Sequence, residues 1–246
     1  IIAITSLLLS INVYAKYNET IEKTFSYTEG NEFVLENVNG SATISSWEKD
    51  SIHVVAKIKT KSQAARDNIQ IKMLETSNGL KVITHYEEDW GSNNYEGGSV
   101  EYVVRLPKTS SLNQISLVNG GLTIENVEGV INAELVNGAI RATGIASNAD
   151  LKSVNGSVFA SYAHLDNAIS AIDLKTVNGS IKVELPSGAD AIVQAETMHG
   201  SIKSDFQLNV DEGMLFGTNM EGTIGNGDIK VNMESVNGSI KLLKSQ

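Results

Sequence analysis

The sequence predicts an all-β protein, built as a parallel β-helix-like solenoid with Asn-Gly corners. A short motif, in which Val or Met precedes Asn-Gly or His-Gly, occurs seven times. Apolar and polar residues alternate on both sides of every copy, which is the pattern of strands with one buried face. Glycine is abundant and proline rare, with 21 Gly and 2 Pro, as expected for a chain with many tight bends. Motifs kept in one register are typical of stacked structural units.

The copies of the motif share a position-by-position pattern. The corner residues are Asn39, Asn119, Asn137, Asn155, Asn178, His199 and Asn237. Four residues before each corner the chain is apolar, three before it is polar or charged, and three after it is apolar again. This alternation predicts two strands joined by a bend. Since Asn and Gly adopt a positive φ at the least cost, the bend is expected to use that conformation.

Two structures use an Asn-Gly pair in this way: a two-residue hairpin with a type I′ turn, and a corner of a β-solenoid. The spacing favours the corner, because Asn119, Asn137 and Asn155 are 18 residues apart and no equally strong turn lies halfway between them. In a solenoid, the corner amides are expected to form a structural ladder of side-chain hydrogen bonds from coil to coil. His199 replaces Asn in one copy, so the ladder is expected to be interrupted at that coil.

The pattern divides the chain into three regions. Residues 1–15 are uncharged and largely apolar, which predicts the remnant of a secretory signal peptide. A membrane anchor is the alternative, although the apolar run is shorter than the roughly 20 residues that span a bilayer. Residues 16–106 hold one full copy of the motif and longer strands, so they are predicted to form an atypical N-terminal β cap, with a short helix within 61–68. Residues 107–246 are predicted to form the regular solenoid, continuous with the cap in one domain.

Composition narrows the classes of partner. The net charge of −10 at pH 7 disfavours binding to nucleic acid or to anionic lipid by simple electrostatics. There is no cysteine, so a disulfide framework is excluded. Together with the signal-like segment, these features predict an exported protein, periplasmic or at the cell surface, whose mature chain has no transmembrane span.

Several segments carry a resemblance to a known family. They are Leu35–Ser41, Trp47–Asp50, Leu185–Ala189, Thr197–Phe206, Gly225–Ile229 and Val236–Ile240. With the recurring Val-Asn-Gly-Ser-Ile, they resemble a family of bacterial envelope adhesin-like domains of unknown function that has been called toastrack. The resemblance implies an all-β stack outside the cytoplasm, with links to adhesion and envelope stress, and it brings no catalytic residues.

The sequence contains no pattern of residues that predicts catalysis or a cofactor. The histidines, His53, His85, His164 and His199, are scattered, and cysteine is absent, so neither a metal site nor a cofactor is expected. Serine follows the corner glycine in most copies, but no Gly-x-Ser-x-Gly elbow occurs. These serines are therefore interpreted as small corner residues.

One segment stands apart from the repeat, between His85 and Gly98. Its possible interaction residues are Tyr86, Glu87, Glu88, Asp89, Trp90 and Tyr95. Aromatic side chains on a loop are common at contacts with carbohydrate or protein, and carboxylates with Asn also suit Ca²⁺. The alternative is a solvated hairpin tip with Trp90 folded back on the sheet.

The sequence thus favours a non-enzymatic, exported binding or adhesin-like protein, whose partner is a protein or glycan of the cell envelope. A polysaccharide-active enzyme is an alternative, because β-helices host enzymes that use paired carboxylates. Outward Glu residues do precede several corners, but Lys152 and Lys175 interrupt them, which favours salt pairing. An envelope-stress signalling component, or a structural unit that forms a homo-oligomer, is the other alternative.

Overall fold

The computed structural model describes residues 17–87, 97–165, 169–212 and 217–245. Within them the protein consists of two β-sheets and one helix of a single turn. This confirms the all-β class predicted from the sequence. In the described part of the chain, no helix is long and apolar enough to cross a membrane.

The elements follow one another in short steps along the chain. They are β1 (Tyr17–Ser26), β2 (Glu32–Asn39), β3 (Ala42–Trp47), β4 (Ser51–Thr60), α1 (Gln63–Asp67), β5 (Ile69–Thr76), β6 (Gly79–Tyr86), β7 (Ser99–Pro107), β8 (Ser111–Asn119), β9 (Leu122–Glu125), β10 (Ile131–Asn137), β11 (Ile140–Ile145), β12 (Ala149–Asn155), β13 (Val158–Tyr162), β14 (Ala171–Asn178), β15 (Ile181–Leu185), β16 (Ala191–His199), β17 (Ile202–Ser204), β18 (Asn209–Glu212), β19 (Thr218–Ile224), β20 (Ile229–Asn237) and β21 (Ile240–Lys244). The first sheet has the order β1-β4-β7-β3-β9-β11-β13-β15-β21-β17, and the second has the order β18-β19-β16-β20-β14-β12-β10-β8-β2-β6-β5.

Each copy of the motif places one strand in each sheet. Strand β12 belongs to the second sheet, the chain turns at Asn155, and β13 continues in the first sheet. Neighbouring coils pair in parallel and in register, so Asn137 lies opposite Asn155 and Ile140 lies opposite Val158. The apolar residues four before and three after each corner are buried between the sheets. The alternation in the sequence therefore coincides with the inner and outer faces of the stack.

The coils do not stack in the order of the chain. Strand β20 pairs with β14 on one side and with β16 on the other, so the last coil lies between the two coils that precede it. Strand β19 runs antiparallel to β16 along its outer edge. With that edge covered, the returning chain pairs with the inner edge of β16. The corners therefore follow the spatial order Asn39, Asn119, Asn137, Asn155, Asn178, Asn237, His199.

Antiparallel strands lie at both ends of the stack. At the end beside β2 and β3, β4 pairs antiparallel with β1 and β7, and β5 pairs antiparallel with β6. At the other end, β19 pairs antiparallel with β16 and β18. The coil formed by β2 and β3, which falls inside the predicted cap, pairs in parallel with β8 and β9 and thus extends the regular stack. Helix α1 lies inside the predicted helical segment, and its first turn is capped where Ala65 N donates to Ser62 Oγ at 3.2 Å.

The corner glycines serve a different purpose from the predicted one. Among the corner glycines only Gly40 has a positive φ, and none of the corner Asn residues has one, so the prediction of positive φ holds at that one bend and was wrong at the other six. Glycine is required by the close approach of adjacent coils. A Cβ on Gly138 would lie 2.6 Å from the carbonyl carbon of Gly120 and closer still to its oxygen. Gly156 is restricted in the same way by the carbonyl group of Gly138, in the preceding coil.

Candidate functional site

The corner amides are hydrogen-bonded to one another along the stack. The Nδ2 of each Asn donates to the Oδ1 of the Asn in the preceding coil, at 2.8–2.9 Å; the donor–acceptor pairs are Asn119–Asn39, Asn137–Asn119, Asn155–Asn137, Asn178–Asn155 and Asn237–Asn178. His199 lies beyond Asn237, at the end of this series, where its carbonyl accepts a hydrogen bond from Gly238 N. The expected interruption is therefore absent, because the histidine coil is last in space although not in sequence.

Buried hydroxyls satisfy the carbonyls of the corner glycines, a feature that the sequence analysis missed. Thr176 Oγ1 donates to the carbonyl oxygen of Gly156 at 2.8 Å, from the position two residues before its own corner. The equivalent donors are Ser153, Thr197 and Ser235, which bond to the carbonyls of Gly138, Gly238 and Gly179. The sequence does contain a signal for these bonds: four copies have Ser or Thr at an inward position two residues before the corner, and a buried hydroxyl needs a hydrogen-bond partner.

A column of aliphatic side chains is exposed on the outer face of the second sheet. We call it the apolar column; in spatial order it consists of Val38, Val118, Val136, Val154, Val177, Val236 and Met198. Each residue immediately precedes a corner and points outward, because the next residue back is buried. Apart from Val236, which is partly buried, these residues are 37–52% exposed. The motif has Val or Met at this position in every copy, but the continuous surface arises only from the pairing of the coils, which the motif alone does not show.

The apolar column, apart from Val38, forms the floor of a groove of about 650 Å³. Adjacent strands of a sheet lie about 4.8 Å apart, so neighbouring valines contact one another along the column. This contact explains the preference for a β-branched residue at the position, but it leaves the outward half of each side chain in water. From Val118 to Met198 the groove crosses six coils of the stack.

Charged side chains line one side of the groove, three residues before every corner from Asn137 onward. Lys175 Nζ lies 2.8 Å from Glu234 Oε1, and Lys152 Nζ lies 2.7 Å from Asp150 Oδ2 and 3.7 Å from Glu134 Oε1. The hydrogen bond to Asp150 raises the pKa of Lys152, which keeps the lysine charged. These carboxylates and ammonium groups thus pair with each other beside an apolar floor.

The predicted interaction loop is only partly described. Tyr86 closes β6 and donates from its hydroxyl to Asn39 O at 3.0 Å and to Asn37 Oδ1 at 3.2 Å, against the first coil. Glu87 accepts a hydrogen bond from Gln70 Nε2. The other members of the prediction, Glu88, Asp89, Trp90 and Tyr95, lie outside the described residues.

The titratable side chains are dispersed. In the described ranges, no group of three or more His, Asp or Glu side chains is placed to hold a metal ion. His53 contacts Glu22 at 2.8 Å and stacks on Trp47 with ring centroids 5.8 Å apart.

Comparison with models of known families identifies the family of this protein. The model of the Toastrack DUF4097 family matches residues 119–243, which is just over half of the chain. The chain belongs to the toastrack family. The matched part of this toastrack protein begins at the second corner and includes every later coil. No curated protein matches the chain.

The solved structures that match this toastrack protein have low sequence identity to it. One is a candidate cell adhesion protein from Clostridium sporogenes, with 14% identity, a TM-score of 0.49, and coverage of 93% of this chain and 100% of the other. Another is a candidate adhesin from Bacteroides fragilis, with 14% identity, a TM-score of 0.48, and coverage of 91% and 97%.

Proposed function

We propose that this toastrack protein is a non-enzymatic, exported binding protein of the cell envelope, and that it binds through the apolar column. The observation that carries the proposal is the exposure of in-register aliphatic side chains along a groove of about 650 Å³. Contiguous apolar surface of this kind is costly in water, and in soluble proteins it marks sites of interaction. A volume in this range is typical of binding clefts.

The chemistry of the groove favours a protein partner over a glycan. The floor consists of Val and Met side chains, which offer a sugar no hydrogen-bonding groups, and the flanking charges of Glu134, Lys152, Lys175 and Glu234 are already paired. An amphipathic protein segment can bury its apolar face against such a floor without leaving polar groups unsatisfied. Met198 adds a side chain that adapts its shape to the partner. The segment between Tyr86 and Tyr95 remains a proposed additional contact.

A binding experiment on isolated envelopes tests this proposal. Labelled wild-type protein is titrated onto envelopes of the producing organism, and the Val154→Asp/Val177→Asp variant is compared with it. Two carboxylates in the middle of the floor would be left unpaired under a bound apolar segment, so the affinity should fall at least about tenfold. The matched control is Val130→Asp/Val210→Asp, because these valines are 40% and 42% exposed and lie outside the apolar column. The control should bind as wild type does.

The treatment of the envelopes identifies the class of partner. Protease digestion should abolish saturable binding; binding that survives protease and is lost on glycan digestion would contradict a protein partner. Equal losses in the two variants would contradict the apolar column as the binding surface. Light scattering that shows a wild-type dimer and a monomeric Val154→Asp/Val177→Asp variant would mean that the column binds a second copy instead. Release of reducing ends from envelope glycans would contradict the non-enzymatic assignment.

A further inference from the structure

The outer face of the first sheet carries a column of cationic side chains. We call it the basic column; in spatial order it consists of Arg141, Phe159, Lys182, Lys241 and Lys203. Each residue lies four positions after a corner. Lys182, Lys241 and Lys203 occupy adjacent strands in direct register, so their backbones lie within about 10 Å of one another.

A row of cations on adjacent strands is electrostatically unfavourable unless nearby negative charges offset the repulsion. Like charges directly opposite on neighbouring strands repel each other. Lys182 has a partner, since its Nζ lies 2.6 Å from Glu184 Oε1. Lys241 and Lys203 are exposed and form no ion pair with any residue in the described ranges. The carboxylate of Asp205, two residues beyond Lys203, instead accepts a hydrogen bond from the backbone of Lys244.

The basic column contrasts with the chain as a whole, which is acidic. Acidic residues outnumber basic ones by 29 to 19, yet four cations share one column. Arg141 and Lys182 lie over the ring of Phe159, with the guanidinium carbon 4.4 Å and the ammonium nitrogen 5.1 Å from its centroid. These cation–π contacts hold the two side chains at the outer surface of the sheet.

Hydroxyl groups flank the basic column on the side of the corners. They belong to Ser157, Ser180, Ser239 and Ser201, each two residues before a member of the basic column and on the same outer face. Ser201 Oγ and Ser239 Oγ lie 3.3 Å apart, which shows how closely the hydroxyls follow one another from coil to coil. Ammonium groups beside hydroxyls offer both charge and hydrogen bonds to an oxyanion.

We infer that the basic column binds a linear acidic polysaccharide that lies along the stack. The column repeats at the spacing of the strands, so a polymer with regularly spaced carboxylates meets several cations at once, and the contacts reinforce one another. The serine hydroxyls complement the hydroxyls of the sugar units. This surface lies on the opposite sheet from the apolar column, so the inference does not depend on the proposed protein partner.

Polygalacturonate is the probe for this inference, with neutral dextran of similar length for comparison. Wild-type protein should bind polygalacturonate and not dextran, and the affinity should fall as the salt concentration rises from about 0.05 M to about 0.3 M. The variant Lys203→Gln/Lys241→Gln should bind about tenfold more weakly, as expected when two surface charge contacts are lost. The control Lys23→Gln/Lys57→Gln changes the net charge equally, at exposed sites on the same sheet, and should stay within about twofold of wild type.

The outcomes separate this inference from its alternatives. No binding by wild type, or equal weakening in both variants, would overturn it. Binding to inorganic polyphosphate without binding to polygalacturonate would overturn the assignment to a polysaccharide. The Val154→Asp/Val177→Asp variant should bind polygalacturonate as wild type does, and a loss in that variant would contradict two independent surfaces.

Discussion

Replacing Gly138 by alanine tests why the repeat has glycine at its corners. The new Cβ would lie 2.6 Å from the carbonyl carbon of Gly120, so the two coils must separate. Separation strains the backbone hydrogen bonds that join these two coils at the corner, from Gly120 N to Asn137 O at 3.0 Å and from Leu122 N to Ala139 O at 2.9 Å. About 1 kcal/mol for each bond and about 1–3 kcal/mol for overpacking give a destabilisation of about 3–5 kcal/mol.

Urea and thermal unfolding followed by circular dichroism measure this effect. For a chain of this size, the expected loss corresponds to a fall in melting temperature of about 6–20 °C. The matched control is Gly121→Ala, one residue beyond a corner, where a Cβ would meet only Ala139 O at an ordinary 3.5 Å. The control should lie within about 0.5 kcal/mol of wild type. Equal unfolding midpoints for the two variants would refute the argument from close approach.

Two further predictions concern the corner hydrogen bonds and the buried tyrosines. Thr176→Val should lower the free energy of unfolding in urea by about 1–2 kcal/mol, because it leaves the Gly156 carbonyl without its buried donor. Asn137→Ala should lower it by less, since the ladder amides are exposed, and the reverse order would contradict this ranking of the two sets of bonds. Burial raises the pKa of Tyr102 from 10.0 to about 12 and also raises the pKa of Tyr162, so the unfolded chain loses these protons first. The contribution of these two tyrosines to the free energy of unfolding should therefore be constant below about pH 9 and fall between about pH 10 and pH 12. The fall should be smaller in Tyr102→Phe, and an unchanged slope in that variant would exclude Tyr102 as a source.

Local pattern was sufficient for the all-β class and for the alternation within each coil. Leu151 and Val158 are buried on either side of Asn155, as their spacing from the corner predicted, because the direction of a side chain in a strand depends only on its place in the alternation. The same reasoning failed for the conformation of glycine. Glycine suits both a positive φ and a close approach between two backbones. Only the position of the neighbouring coil shows which of the two applies.

The residue pattern along the chain was enough to predict the class of the fold, the positions of the bends and the inward residues of each coil. The tertiary structure decided which coils are neighbours, and hence that Asn237 lies between Asn178 and His199 and that Lys241 lies beside Lys203. The physical reason is that parallel strands pair through backbone hydrogen bonds that are alike for every coil of the repeat. The edge of one coil can therefore pair with any of several others. Which coil it pairs with depends on the path of the intervening chain, and here β19 occupies the outer edge of β16. Both proposed binding surfaces depend on the spatial order of the coils, because each is a column of residues far apart in the chain.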